Sequence, residues 1–119
     1  MKWYVAKIVY RIICGDGNHT PQFDEQLRLI EAADTFQAFQ KARLLGHKEQ
    51  DNFMNANDKP VHWKFLDVTE LTEMSSLSDG LEIYSQIKEE TEVDMYLGYI
   101  KRKANYLQQL SLEHAAYLN

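Results

Sequence analysis

Residues 3–14 read WYVAKIVYRIIC, and two kinds of side chain alternate along them. Because successive residues of a β-strand point to opposite faces, every second side chain belongs to the same face. One face is apolar throughout, whereas the other mixes apolar residues with Lys7 and Arg11. This pattern predicts a long strand that buries one face in a core. The apolar face consists of Tyr4, Ala6, Ile8, Tyr10, Ile12 and Cys14.

A turn and a second strand follow the first strand. Residues 15–18, GDGN, are typical of a tight turn, and residues 22–32 alternate again. The two strands predict a β-hairpin with residues 15–21 as its tip. The side of the second strand that we expect to face the core or a cleft carries Phe23, Glu25, Leu27 and Leu29.

A helix is predicted over residues 35–46. Asp34 or Thr35 supplies an N-cap side chain that accepts a hydrogen bond from the first turn. Gly46 is typical of a helix C-terminus. Small alanines lie on the apolar stripe, so we expect the helix to pack closely on a sheet. The polar residues 47–60 are predicted to form a loop.

Two more strands and a long helix complete the pattern. Residues 61–70 alternate as a third strand, with a bulge expected at Phe65–Leu66, where the apolar residues switch face. Residues 72–80 are typical of a turn, and residues 81–88 alternate as a fourth strand. From Glu92 onward, apolar residues recur at spacings of three and four, which predicts a long helix.

These elements predict an α+β fold with a four-stranded antiparallel sheet in two hairpins and the element order ββαββα. One helix packs on the sheet, and a long helix closes the chain. At 119 residues the chain is near the commonest domain size, so we expect a single domain over residues 1–119. Residues 3–91 are its predicted sheet-and-helix unit, and residues 92–119 are a helical extension.

Charge and hydropathy argue against several classes of partner. The net charge is −5, and residues 67–94 carry nine acidic side chains against one basic side chain, Lys88. Nucleic-acid-binding domains usually present a basic face, so we expect no nucleic acid partner. The sequence has neither the run of about 18 apolar residues needed for a membrane span nor a signal-peptide pattern, so we expect no membrane. With a single cysteine, Cys14, the chain is expected in the cytoplasm.

Several short motifs, taken in order, resemble those of a known bacterial family. The first are WYVAK at residues 3–7, Glu25, and EAAD at residues 31–34. The second are VHWKF at residues 61–65 and DGLEIYS at residues 79–85. Over about residues 3 to 87 the chain resembles the family called domain of unknown function 4288. This resemblance implies a small bacterial intracellular protein. It singles out Glu25, Trp63 and Glu82 as matching positions, and it implies no reaction, cofactor or partner.

The carboxylates of Glu25 and Glu82 are the candidate catalytic residues. A carboxylate on an apolar face is costly unless it is paired, and such a group often acts as a general acid or base. Glu82 follows a turn, from which it can approach Glu25 across the sheet. In the alternative interpretation, Glu25 forms an ordinary cross-strand ion pair with Lys7 or Arg11.

Trp63 is the candidate ligand-binding residue, because its ring can stack on a small molecule. The alternative places it in the core beside Val61 and Phe65, where a strand tryptophan is commonly found. No two histidines have the spacing of zinc ligands, and Cys14 has no second cysteine. The glycines at 15 and 17 lack the remaining features of a phosphate-binding loop. We therefore expect neither a metal nor a cofactor.

The long C-terminal helix is the candidate interaction surface, because its apolar stripe exceeds what a small sheet needs. We predict a protein-interaction or self-association module without catalytic activity, either a homodimer or bound to a protein partner. The alternative is an enzyme or small-ligand binder that uses Glu25 and Glu82 in a cleft near Trp63. The candidate interaction residues are Tyr96, Tyr99, Tyr106, Leu107 and Leu110.

Overall fold

The strand predicted at the start of the chain lies at the centre of the sheet. The computed structural model describes residues 1–54 and 58–118. Strand β1 (Lys2–Cys14) pairs antiparallel with β2 (Gln22–Ala32) on one side and with β4 (Pro60–Met74) on the other. The predicted β1–β2 hairpin is confirmed. Its tip begins with Gly15, whose positive φ of 59° favours glycine.

The antiparallel sheet and the α+β class are confirmed, but the predicted four-stranded sheet in two hairpins is wrong. The sheet consists of three long strands in the order β2-β1-β4. Among the described residues, the predicted fourth strand over 81–88 is absent. Instead, the four-residue strand β3 (Asp51–Met54) pairs with the outer edge of β4, inside the predicted loop. Residues 55–57 of that loop lie outside the described residues.

The missing strand has a physical explanation. Alternation gives residues 81–88 two distinct faces, but a strand also needs a neighbouring strand with which to share backbone hydrogen bonds. β4 continues to Met74, through part of the predicted turn, because it pairs with β1 as far as Trp3. Side chains after β4 are left exposed, and Ile87 retains 94% of its accessible surface.

The predicted bulge in β4 is confirmed. Val9 lies opposite Asp67, while the next residue, Tyr10, lies opposite Phe65. Leu66 is therefore the extra residue, at the point where the apolar side chains were seen to switch face. This irregularity puts Phe65 beneath the helix, in edge-to-face contact with Tyr10 at a centroid distance of 5.9 Å.

The predicted helix is confirmed as α1 (Thr35–Lys48), which is capped by Asp34. The Asp34 carboxylate accepts a hydrogen bond from the backbone N–H of Gln37 at 2.8 Å. The expected end at Gly46 is wrong, because Glu49 is the C-cap and Gly46 is buried inside the helix. A Cβ atom at Gly46 would overlap the ring of Phe65. Glycine is thus required there for close packing of the helix on the sheet.

The core lies between α1 and one face of the sheet. Ala38 and Ala42 of α1 are fully buried against β1, as their small size predicts. The Tyr10 hydroxyl donates a hydrogen bond to the Gly46 carbonyl oxygen at 2.9 Å, which gives this buried hydroxyl a partner. The buried cluster comprises Tyr4, Ala6, Ile8, Tyr10, Ile30, Ala32, Ala38, Ala42, Phe65 and Val68.

The expected orientation of β2 is wrong. Ile30 and Ala32 are its core residues, whereas Phe23 and Leu29 retain 55% and 53% of their accessible surface. The pairing of Ile30 with Tyr4 fixes this orientation, because directly opposed residues of an antiparallel pair share a face. A change of register by one residue would exchange the two faces.

The described chain divides into two units, Met1–Ile83 and Tyr84–Asn119. The second unit contains α2 (Val93–Leu118), which confirms the predicted long helix. With 26 residues, α2 is about 39 Å long. Asp94 lies in its first turn, where a negative charge is favourable. None of the helices in the described parts of the chain is long and apolar enough to cross a membrane.

Candidate functional site

The two candidate catalytic carboxylates are both exposed. Glu25 lies on β2 opposite Val9, on the sheet face that points away from α1. Glu82 lies in a stretch without helix or strand. Neither carboxylate lines the clefts that described residues form at the hairpin tip and beside β2. A catalytic pair of Glu25 and Glu82 stays a prediction.

Trp63 lies on β4 opposite Ile12 and packs against the buried cluster, as the core interpretation predicts. It is half-buried, and its indole N–H donates a hydrogen bond to Oδ2 of Asp24 at 3.1 Å. That bond holds the ring across β1 toward β2. A stacking role for Trp63 stays a prediction.

A network of hydrogen-bonded polar side chains continues from Trp63 along β2. Nε2 of Gln26 donates to Oδ2 of Asp24 at 2.7 Å, and Nη1 of Arg28 donates to Oε1 of Gln26 at 3.1 Å. The guanidinium of Arg28 also binds both carboxylate oxygens of Glu49, at 2.6 and 2.9 Å. This network therefore fastens the end of α1 to the sheet.

The sequence patterns did not predict this network, although the alternation of its β2 residues was visible. Asp24, Gln26 and Arg28 alternate along β2 and so share one face, which was taken as the solvent side. Glu49 had no visible connection to them, because it lies beyond the predicted helix and 21 residues from Arg28. Only the packing of α1 on the sheet brings the two charges together.

The electrostatics of the network favour a structural role. Hydrogen bonds from Arg28 lower the pKa of Glu49, and the same bonds raise the pKa of Arg28. Burial raises the pKa of Tyr10, with a further rise from the nearby charge of Glu49. A carboxylate held in its ionised form by a bidentate arginine is a poor general acid or base near neutral pH. We therefore interpret this network as a clamp.

A second bidentate pair joins α1 to β4. Nε and Nη2 of Arg43 donate to the two carboxylate oxygens of Asp67 at 3.0 and 3.1 Å. These bonds, with a further one from the backbone N–H of Val68, lower the pKa of Asp67. The Arg43 guanidinium also lies 4.2 Å from the ring centroid of Phe39. Both flanks of α1 are thus fixed by arginine–carboxylate pairs.

The hairpin tip borders a cleft of about 970 Å³, lined in part by Cys14, Asp16 and His19. Nε2 of His19 accepts a hydrogen bond from the backbone N–H of Cys14 at 3.0 Å. Nδ1 of the same ring lies 2.9 Å from the carbonyl oxygen of Thr20. Because both ring nitrogens bind the backbone, His19 closes the loop and is not poised to activate the thiol. In residues 1–54 and 58–118, no three His, Cys, Asp or Glu side chains cluster as metal ligands.

The five candidate interaction residues all lie on α2 and are all exposed. Leu107, near the C-terminal end of the apolar stripe, retains 61% of its accessible surface. The rings of Tyr96 and Tyr99 are stacked at a centroid distance of 6.4 Å, and the ammonium group of Lys103 lies 5.6 Å from the Tyr99 ring. The helix therefore presents an organised apolar and aromatic face, which we call the α2 face. It comprises Val93, Tyr96, Leu97, Tyr99, Ile100, Ala104, Tyr106, Leu107 and Leu110.

Comparison with known proteins gives one match. The model of the family described as Domain of unknown function (DUF4288) matches residues 3–85. No curated protein and no solved structure matches the chain. The matched residues cover the sheet and α1, and they end before α2 begins.

Proposed function

The chain belongs to the family described as Domain of unknown function (DUF4288), and we propose that it is a protein-interaction module that binds through the α2 face. The proposal places it in the bacterial cytoplasm, which is the setting implied by the family resemblance. Its recognition element lies outside the residues that match the family. The sheet and α1 then serve as the folded body that carries this helix.

The exposure of the α2 face is the observation that carries this proposal. The nine residues of the α2 face lie along one side of α2, and those of them that are larger than alanine retain between 36% and 66% of their accessible surface. Isolated helices are marginally stable in water, and most helical stability in proteins comes from packing an amphipathic face. A partner surface would supply that packing. Helix-in-groove recognition uses anchors with the same spacing of three and four.

The charges beside the α2 face define the chemistry of the partner. Lys101, Arg102 and Lys103 form a basic group at the middle of α2, within a chain whose net charge is −5. Lys103 lies close to Tyr99 and therefore borders the apolar stripe. The matching partner is an apolar groove or helix flanked by acidic side chains, because opposite charges at the rim favour correct encounter.

Site-specific photo-crosslinking in the organism that makes the protein tests this proposal. Leu107 is replaced by the photoreactive residue p-benzoylphenylalanine in the full-length chain, and adducts are identified by mass spectrometry. We expect one discrete protein adduct whose crosslinked peptide is an amphipathic helix or lines an apolar groove. Gln109 is the matched control, because it lies on α2 two residues away and on the opposite, polar side.

Two results would count against the α2 face. The first is an absence of adducts from Leu107 in cells that contain the folded protein. The second is an identical set of adducts from Leu107 and Gln109, because contact would then be indiscriminate. An adduct with twice the mass of the chain would identify the partner as a second copy bound through the same face.

A further inference from the structure

Strand β2 forms one edge of the sheet in the described part of the chain. It spans eleven residues, Gln22–Ala32, and contains no proline. An edge strand presents a row of backbone N–H and C=O groups that lack a ladder partner, and natural proteins usually shorten or interrupt such edges. A long edge with exposed Phe23, Leu27 and Leu29 is therefore a candidate for pairing with another strand.

A groove runs beside this edge, between β2 and α1. Its volume is about 600 Å³, and its lining combines apolar side chains with the cations Arg28, Lys41 and Lys48 and one carboxylate, Glu31. Because the cations outnumber the carboxylate, an extended backbone that carries a negative charge fits this groove. The residues that line the groove include Arg28, Leu29, Ile30, Lys41, Leu44 and Lys48.

We infer that β2 pairs antiparallel with β2 of a second copy, with Gln26 opposite Gln26 on a two-fold axis. In this register Asp24 of each copy lies opposite Arg28 of the other. On the reverse face, Phe23 lies opposite Leu29. Opposite charges and aromatic–aliphatic pairs are both favourable when they are directly opposed across antiparallel strands. The two-fold symmetry repeats each contact twice.

Neighbouring registers lack this complementarity. If the two-fold axis passes through Glu25, the two Glu25 carboxylates oppose each other. If it passes through Arg28, the two Arg28 guanidinium groups oppose each other, and both arrangements are unfavourable. Centring the pair on Leu27 places Phe23 opposite Glu31 and Glu25 opposite Leu29. The register centred on Gln26 also places Glu25 opposite Leu27, but of the four registers centred on residues 25 to 28 it is the one that brings opposite charges together.

The same register delivers a suitable segment to the groove. Residues 28–31 of one copy face residues 21–24 of the other, so Asp24 enters on the face that carries Arg28, Lys41 and Lys48. The Lys41 ammonium already donates to the Glu31 carbonyl oxygen at 2.8 Å, which holds a positive charge beside the strand. A second copy thus supplies a negative charge to the groove, whereas its Phe23 packs against Leu29 on the opposite face of the sheet.

This inference does not depend on the proposed function, because the β2 edge and the α2 face share no residue. Together the two surfaces would give a dimer that presents two α2 helices. Either proposed surface can be disproved without affecting the other. If β2 variants lose dimerisation but keep the crosslinks from Leu107, the two surfaces act independently. The same holds if the crosslinks are lost while dimerisation is kept.

A charge-reversal experiment on the full-length chain tests the register. Asp24→Arg and Arg28→Asp are prepared separately, and native mass spectrometry and sedimentation equilibrium measure dimerisation. We expect a dimer for the unaltered chain and at least roughly tenfold weaker dimerisation for each variant, because like charges then oppose each other twice. An equimolar mixture of the two variants should form a heterodimer, because each altered residue then meets its opposite charge.

A second set of variants keeps the test decisive if charge reversal disturbs the bonds of Asp24 to Trp63 or of Arg28 to Glu49. Gln26→Cys, in a Cys14→Ser background, should form an intermolecular disulfide across the axis. Gln22→Cys is the matched control on the same strand, and we expect it to stay reduced because it faces Ile30 of the other copy. A monomeric unaltered chain overturns the inference, as does equal crosslinking at positions 22 and 26. If the mixed variants form heterodimers no more strongly than each variant forms homodimers, the proposed register is wrong.

Discussion

The two units of the chain use similar apolar side chains in opposite ways. In Met1–Ile83, Ile8 and Tyr10 are almost completely buried between α1 and the sheet. In Tyr84–Asn119, Ile100 and Tyr106 retain 45% and 66% of their accessible surface. Both patterns were regular enough to identify their secondary structure from sequence. The difference teaches that periodicity predicts which side chains share a face, whereas it does not predict what covers that face.

The units also differ in how their polar groups are used. Around α1, Arg28 and Arg43 each bind a carboxylate with two hydrogen bonds, so the helix is fixed at both flanks. On α2, the basic residues border an exposed aromatic face, with Lys103 close to Tyr99. The first arrangement fixes α1 to the sheet, and the second belongs to the surface proposed for recognition. The predictions below test this contrast by placing matched substitutions in the two units.

The largest contrast is expected from the same truncation in both units. Ile8→Ala should lower the free energy of unfolding by about 2–5 kcal/mol, because it leaves a cavity in the core. Ile100→Ala should change it by less than about 0.5 kcal/mol, because the side chain is exposed. Urea denaturation measures both variants, with tryptophan fluorescence from Trp3 and Trp63 reporting on the first unit and far-UV circular dichroism reporting on α2. Equal losses for the two variants would contradict the contrast.

Glycine-to-alanine substitutions in the two helices should have opposite signs. Gly46→Ala should destabilise the first unit by about 1–3 kcal/mol, because the new methyl group overlaps the Phe65 ring. Gly98→Ala should stabilise α2 by up to about 1 kcal/mol, because alanine is the better helix former. Its Cβ would meet only the flexible end of Arg102, at 3.4 Å. Thermal melts followed by circular dichroism check both signs, and stabilisation by Gly46→Ala would show that the packing is looser than described.

Removal of the α1 N-cap should have a smaller effect. Asp34→Ala removes the acceptor of the Gln37 backbone N–H and should cost about 1 kcal/mol. Asp34→Asn is the matched control, because asparagine caps helices nearly as well as aspartate. Both are measured by urea denaturation. If asparagine were as damaging as alanine, the role of Asp34 would depend on its charge rather than on the cap.

The Arg28–Glu49 pair should contribute least, and its contribution should depend on pH. The pKa of Glu49 is lowered in the folded chain, so its stabilisation is present above the ordinary carboxyl pKa and disappears as pH falls through the folded value. Glu49→Gln should therefore cost less than about 1 kcal/mol at pH 7, since the pair is partly exposed to solvent. This cost should vanish in strong acid. Glu90→Gln in the second unit is the control, and an unchanged cost at low pH would refute the pair's contribution.

Much of the first unit could be predicted from alternation and capping. The buried face of β1, the hairpin, the bulge at Leu66 and the cap at Asp34 all depend on local patterns. Two features could not be predicted, because they depend on tertiary contacts. Pairing of Ile30 with Tyr4 decides which face of β2 is buried. The absence of a partner edge removes the strand expected over 81–88.

The candidate sites were harder to predict than the fold. The clamp joins Arg28 to Glu49 because α1 extends beyond Gly46 and brings its C-cap to β2. In contrast, the α2 face could be seen in the sequence, because its residues follow one helical period. Sequence reasoning therefore placed the residues of one helix on a common face, whereas it failed for a cluster assembled from two elements.

Hydroxyl-radical footprinting of the purified full-length chain tests the central claim that the α2 face is open to a partner. Oxidation is followed by mass spectrometry at Tyr96, Tyr99 and Tyr106, with Tyr4 and Tyr10 as buried references in the same molecule. We expect fast oxidation of the three α2 tyrosines and slow oxidation of the two β1 tyrosines. Slow oxidation of all five in the monomeric chain would show that the α2 face is already covered, which would contradict its role as the binding surface.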